Sequence, residues 1–424
     1  MRTAIVAILL TAGLAAGQTV TLKPLSEGAM KQRGSYAPQH AKLSADKPAT
    51  ITRLPDGLSS PLYGALPIGP SDKGGRVFHI VVDEPEGKDA TLYVDANGNG
   101  DLTDDPAAEW KPKPYKQGET ELTQHNGGAT VQIKYGSTTF PAHLGMYRFD
   151  PHDPSPGRVA LKDTLLYYAD YGYEGDVTLA GKTYKALLND DTAGGDFRGK
   201  PVEKEKDRSG VRLLLDVNGN GKFDRQGEDF DVRRPFNIAG TTWEVADMAP
   251  SGAEFRIVKS SRSVAEIPTP PNHSVGQKIT AFEAKTTDGK DVRFPQSYKG
   301  KIVMIDFWAT WCGPCMGEVP NLVKVYDEFH PKGFEVLGIS LDKENSLDKV
   351  KSVTADHGMS WPQVYDGKFW EARIAELYAI KSIPAAYLVD GDTGEVLADS
   401  GLRGESLKGI IQKALEKKQA SQKN

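Results

Sequence analysis

A chain of 424 residues exceeds what one hydrophobic core usually organises, so two or three domains are expected. Hydrophobic residues at 38% beside charged residues at 26% describe an ordinary globular composition, and a net charge of −5 lacks the basic footprint of a nucleic-acid binder. Only two cysteines occur, too few for a disulfide-stapled scaffold.

The first residues read as an export signal. Arg2 is followed by an apolar run over residues 4–14, and Ala15-Ala16-Gly17 offers small residues for cleavage before Gln18. The run is too short to span a bilayer. A signal peptide over residues 1–17 predicts a mature protein in a periplasmic or extracellular space. Residues 18–59 show no clear period and are expected to form an irregular lead-in.

From Arg76 onward strand signals dominate, as in Val77-Phe78-His79-Ile80-Val81-Val82, Thr91-Leu92-Tyr93-Val94 and Thr130-Val131-Gln132-Ile133. Short β-branched and aromatic runs between Gly, Asp, Asn and Pro predict an all-β module, sandwich- or barrel-like, over residues 60–258. Inside it one pattern recurs: Asp95-X-Asn97-X-Asn99-Gly100 and Asp216-X-Asn218-X-Asn220-Gly221. Each copy sets oxygen ligands at positions 1, 3 and 5 of an EF-hand-like loop, with glycine at 6 and Thr103 or Asp224 at 9. The glutamate expected at position 12 is missing, since Pro106 and Gly227 stand there, although Asp104, Asp105, Glu228 and Asp229 are near. Two readings stand: calcium held by Asp95, Asn97, Asn99, Asp216, Asn218, Asn220 and Asp224, or two tight turns of the kind Asn-Gly favours.

Residues 259–273 are polar and proline-rich and predict a linker. The pattern then changes. A hairpin around Asp288-Gly289 precedes an apolar strand from Ile302 to Trp308, a helix towards Phe329, and a second buried strand from Phe334 to Leu341. Helices at Ser346–His357, Glu371–Tyr378 and Leu407–Lys417 and a closing hairpin at 385–397 complete an α/β unit over residues 274–418, with a polar tail over 419–424.

Both cysteines lie in Trp311-Cys312-Gly313-Pro314-Cys315, between a strand and a helix. A staple closing so short a loop removes little chain entropy from the unfolded state. A zinc site would need a second cysteine pair that the chain lacks. Redox chemistry is the better reading. At a helix N-terminus, unpaired backbone N–H groups and the macrodipole favour a thiolate on Cys312. Cys312 would attack a substrate disulfide, and Cys315, one turn deeper, would resolve the mixed disulfide. Gly313 and Pro314 enter the helix without strain and add no cation, which leans the pair towards reductant.

This stretch resembles the thioredoxin active site. With the preceding hairpin, Phe307-Trp308-Ala309-Thr310, Glu318-Val319-Pro320 and Gly338-Ile339-Ser340-Leu341-Asp342, the last third resembles exported thioredoxin-like disulfide reductases of the TlpA and ResA type. The resemblance implies a C-terminal thioredoxin fold and a redox-active disulfide with no required cofactor. It further implies protein disulfide substrates, apocytochrome c among them, and a membrane electron donor. Asp306 is costly in an otherwise apolar strand, and burial should raise its pKa. The resemblance assigns it proton transfer with the deeper cysteine, a thioredoxin-like feature where many exported relatives carry an amide. Glu318, on the helix face of Cys315, would be tied to the site. The Ile383-Pro384 bond would be cis, packed beside the thiols. A peroxidase of the same fold would need a Pro-X-X-X-Thr-X-X-Cys setting, which neither cysteine has. The expectation is thus a multi-domain exported thiol–disulfide oxidoreductase; the competing one is a calcium-dependent surface binding protein whose thioredoxin fold is only structural.

Overall fold

The computed structural model describes residues 17–70, 72 and 76–421. The predicted export signal lies outside them save for Gly17, as does the end of the tail. Among the described residues no helix is long and apolar enough to cross a membrane. The chain divides into two compact units, the first ending at Thr269 and the second beginning at Pro270.

The first unit is built from antiparallel sheets. One runs Gln39–Lys42, Thr164–Ala169, Thr138–Arg148, Thr120–Tyr135, Glu109–Gln117; a second runs Asp229–Asp231, Val211–Leu215, Lys182–Asp190, Gly172–Leu179, Lys23–Leu25. A four-stranded sheet joins Gln18–Thr21 to Glu254–Lys259, Thr241–Ala246 and Phe236–Ile238, and a three-stranded one holds Pro61–Ile68, Arg76–Asp83 and Thr91–Val94. Inward-facing residues from these sheets, including Leu66, Ile80, Val131, Leu144, Leu188, Leu213 and Phe255, form a shared core.

The lead-in departs from expectation. Residues 18–59 are not an irregular prelude, because three of their segments pair with strands far along the chain: Gln18 with Ile257, Lys23 with Glu174, and Gln39 with Tyr167. Strands of three or four residues are too short to show a period, and their partners are remote in sequence.

The predicted linker departs too. Lys259 ends a strand, and the segment after it is tied down. Asn237 Nδ2 donates to Val264 O (2.8 Å), the backbone N–H groups of Ala239 and Gly240 donate to the Glu266 carboxylate (both 3.1 Å), and Gln226 Nε2 donates to Pro268 O (3.0 Å). His273 is buried in the second unit against Tyr378 and Tyr387, with Thr280 on its Nε2. Burial pushes its pKa down to about 4. Proline and polar residues mark the boundary, but the segment up to Pro268 is bonded within the first unit and His273 within the second.

The two Asn-Gly loops share one geometry. Asp95 accepts from the backbone N–H groups of Asn99 (3.0 Å) and Gly100 (2.9 Å), and Asp216 accepts equivalently from Asn220 and Gly221 (both 3.0 Å). The structure does not support the calcium expectation. Among the described residues no group of three or more His, Cys, Asp or Glu side chains is placed to hold a metal ion. The asparagine amides turn inward as donors instead: Asn97 and Asn99 to Asp104, Asn218 and Asn220 to Asp224. Glu228 accepts from the backbone of Val217, Asn218 and Asp224, and Asp229 is held by Arg212. The spacing read as a ligand set is satisfied by hydrogen bonds within the loop. Chelation with EDTA should therefore leave the thermal unfolding midpoint unchanged; a fall of several degrees would restore the calcium reading.

The second unit has a five-stranded sheet ordered Gln363–Tyr365, Phe334–Ser340, Ile302–Trp308, Ala385–Asp390, Val396–Ala398. The central strand Ile302–Trp308 pairs parallel with Phe334–Ser340 and antiparallel with Ala385–Asp390. Both central strands read as continuous apolar runs because both faces are covered; all seven residues of Phe334–Ser340 are buried. The helix Gly313–Phe329 buries Val319, Leu322, Tyr326 and Phe329, a stripe at three- and four-residue spacing. It runs through Pro320. The last helix extends over Gly404–Ser421, so the residues read as a polar tail begin as helix; Lys418 is held by Asp390 and Asp392.

Candidate active site

The strand Ile302–Trp308 ends where the chain turns into the helix Gly313–Phe329, and Asp342 holds the turn. Its buried carboxylate accepts from Thr310 N (3.0 Å), Thr310 Oγ1 (2.6 Å) and Ser340 Oγ (2.9 Å). Trp311 Nε1 donates to Leu341 O at 3.1 Å, while the residue stays 42% exposed beside Phe369 and Trp370. Cys312 then caps the helix: its Sγ accepts from Cys315 N at 3.2 Å. Gly313 and Pro314 form the first turn, where a proline's missing N–H removes no helix bond.

The cysteines are joined in a disulfide, with Cα atoms 5.2 Å apart. Each is 5% exposed, so the expected difference in depth does not show in overall burial. It shows in what each faces. Cys312 sits at the helix cap, whereas Cys315 lines a cavity of about 20 Å³ together with Asp306, Glu318, Pro384 and Arg403. That volume holds about one water molecule.

Asp306 is the one residue of its strand that is not fully buried, and its side chain reaches this cavity. Its pKa is pushed up to about 7; burial is the main cause, the Glu318 carboxylate adds to it, and the Arg403 guanidinium opposes it. Near neutral pH the group is thus poised to exchange a proton. Glu318 lines the same cavity and also ties two elements together. It accepts from Gly404 N (2.9 Å) and Asn321 Nδ2 (2.6 Å), and Asn321 Nδ2 reaches Gly404 O at 3.1 Å. The Ile383–Pro384 peptide is cis, and Pro384 lines the cavity alongside Cys315.

The fold therefore gathers Asp306, Cys315, Glu318 and Pro384 around one cavity and sets Trp311, Cys312, Gly313 and Pro314 at the helix entrance beside it. Asp95, Asn97, Asn99, Asp216, Asn218, Asn220 and Asp224 belong to the other unit and take no part. Sequence reasoning missed Arg403 and Asn321. A lone arginine before the last helix carries no motif, and Asn321 reads as an ordinary surface residue of the helix.

A strand, a capped Cys-Gly-Pro-Cys helix, a cis proline and a half-buried acid sharing a cavity with the second thiol define a thioredoxin-like redox domain. Residues 275–397 match the model of the AhpC/TSA family. The thiol-disulfide oxidoreductase ResA of Bacillus thuringiensis subsp. konkukian is 29% identical over 143 residues, 34% of this chain and 78% of that protein. Its namesake from Bacillus subtilis is 27% identical over 134 residues, 32% and 72% of the two chains. Among solved structures, the thioredoxin domain of a thiol-disulfide oxidoreductase from Bacteroides vulgatus is 31% identical, covering 34% of this chain and 98% of that one, with a TM-score of 0.31. The last third of this chain is a thioredoxin-like domain of the AhpC/TSA family, and the protein is a thiol–disulfide oxidoreductase.

Proposed function

We propose that the protein is an exported thiol–disulfide reductase in which Cys312 is the nucleophile and Cys315 the resolving thiol. In the reduced form the Cys312 thiolate attacks one sulfur of a substrate disulfide; a mixed disulfide forms and the other substrate sulfur leaves as a thiolate. Cys315 then gives its proton to Asp306, directly or through the one water the cavity can hold, and its thiolate attacks Cys312 Sγ. The second substrate sulfur leaves, the enzyme is left as the disulfide, and two electrons have passed to the substrate. The observation that carries this reading is the shared cavity of Cys315 and Asp306, with Cys312 held at the helix cap.

Trp311, exposed beside Cys312, and Ile383, preceding the cis proline, are assigned to contact the substrate chain. The substrates are protein disulfides, with apocytochrome c one candidate, and a membrane dithiol returns the enzyme to the reduced state. Export is supported by the N-terminal signal pattern.

A Cys315→Ser variant, reduced and exposed to an extract of exported proteins, should accumulate mixed disulfides on Cys312 that dithiothreitol releases. Capture equal to that of a Cys312→Ser control would overturn the assignment of nucleophile and resolving thiol.

A further inference from the structure

The segment that precedes the last helix is fixed to the active-site helix more firmly than a connecting loop requires. Gly404 is held at both backbone groups, its N–H by Glu318 Oε1 and its C=O by Asn321 Nδ2. The two side chains are bonded to each other as well, at 2.6 Å. Leu402, one residue before Arg403, is buried in the domain core. Arg403 is thereby set between two anchored neighbours, at the wall of the cavity that holds Asp306 and Cys315. Its side chain remains solvent-exposed, so the charge sits at the cavity's outer side.

The other groups around Asp306 are few. The active-site helix presents Cys315, Glu318, Val319 and Leu322; Pro384 precedes the neighbouring strand, which presents Ala385 and Ala386; its own strand contributes Met304; the last segment contributes Leu402, Arg403 and Leu407. Among the described residues that line the cavity, Arg403 is the one cation and Glu318 the one other carboxylate. A carboxylate that must take a proton from a thiol has to be ionised first. In a poorly solvated cavity that ionisation is favoured by an adjacent cation and opposed by an adjacent anion. Glu318 therefore acts twice and in opposite senses, repelling charge on Asp306 and fixing in place the arginine that stabilises it.

We infer that Arg403 is a positioning residue of the exchange reaction: pinned beside the cavity by the Glu318–Asn321–Gly404 clamp, its guanidinium keeps Asp306 available as the acceptor of the Cys315 proton and so sets the pH below which the second exchange step slows. This rests on the reading of Cys315 as the resolving thiol.

The test uses the full chain in its reduced form with the aromatic disulfide 5,5′-dithiobis(2-nitrobenzoate) in single turnover. The first coloured thiolate leaves when Cys312 attacks, the second when Cys315 resolves the mixed disulfide, so one trace separates the steps. In Arg403→Ala the acid limb of the second phase should move to higher pH by about one unit at low salt, the lower end of the shift an opposite charge produces, and by less at high salt. The first phase should keep the parent profile. Arg403→Lys should restore the limb. Glu318→Gln, which keeps an acceptor for Gly404 N–H, should move it the other way. A second phase in Arg403→Ala that superimposes on the parent's would overturn the inference, as would an equal shift of both phases. A parent protein that releases only one thiolate would instead overturn the resolving role of Cys315 itself.

Discussion

A Cys312→Ser chain is expected to reduce insulin no faster than dithiothreitol does alone, a loss on the order of 10³-fold or more once the nucleophile is gone. Only a thiolate attacks a disulfide at a useful rate, and a serine hydroxyl at the same cap stays protonated. The cap itself should survive, because serine is a good acceptor for a helix N–H and the Cys315 N–H already points to this position. The variant should therefore fold like the reduced parent and fail only in chemistry. Cys315 is poorly placed to substitute, since it lies a helical turn inside and faces the cavity of Asp306. Turbidity from precipitating insulin chains reports the rate, and circular dichroism reports the fold. A variant that kept the parent rate would remove Cys312 from the reaction.

The redox unit was legible because its information is local. The Ile302–Trp308 run, the cysteine pair and the stripe Val319, Leu322, Tyr326 and Phe329 are each contained in one short window, and Asp306 is conspicuous against apolar neighbours. Arg403 was not legible, because its meaning depends on Glu318 gripping Gly404 across 86 residues. The same distinction explains the first unit. The long strands at Arg76–Asp83 and Thr120–Tyr135 announce themselves, whereas Gln18–Thr21 and Lys23–Leu25 are strands only because of remote partners. The Asn-Gly loops were ambiguous for another reason. Asp and Asn at alternate positions suit a cation and suit equally the side-chain-to-backbone bonds of a tight turn, and spacing alone does not separate the two.

Asp306→Asn should separate stability from activity, with the sign set by the raised acidity constant. An unfolded chain titrates this aspartate near about 3.9, whereas the fold pushes it up to about 7. Below about pH 4 both states hold the proton and the group contributes no pH dependence. Between about 4 and 7 the unfolded chain ionises while the folded one does not, so the parent loses stability as pH rises. Above about 7 both are ionised and the loss levels off, at up to roughly 4 kcal/mol by linkage and less to the extent that the partly exposed side chain is solvated. An asparagine does not titrate. In the oxidised full chain, the difference in stability between Asp306→Asn and the parent should therefore be small and constant below pH 4, widen in favour of the variant up to about pH 7, and stay flat beyond. Calorimetry of the transition belonging to residues 270–424, run across that range, reads this directly. The same substitution removes the acceptor of the Cys315 proton, so thiolate release in the second exchange step should slow while the first is spared. Parallel stability curves for variant and parent would mean that Asp306 titrates in the fold as it does in the unfolded chain, and its carboxylate would then be too weak a base to draw the proton from Cys315 effectively.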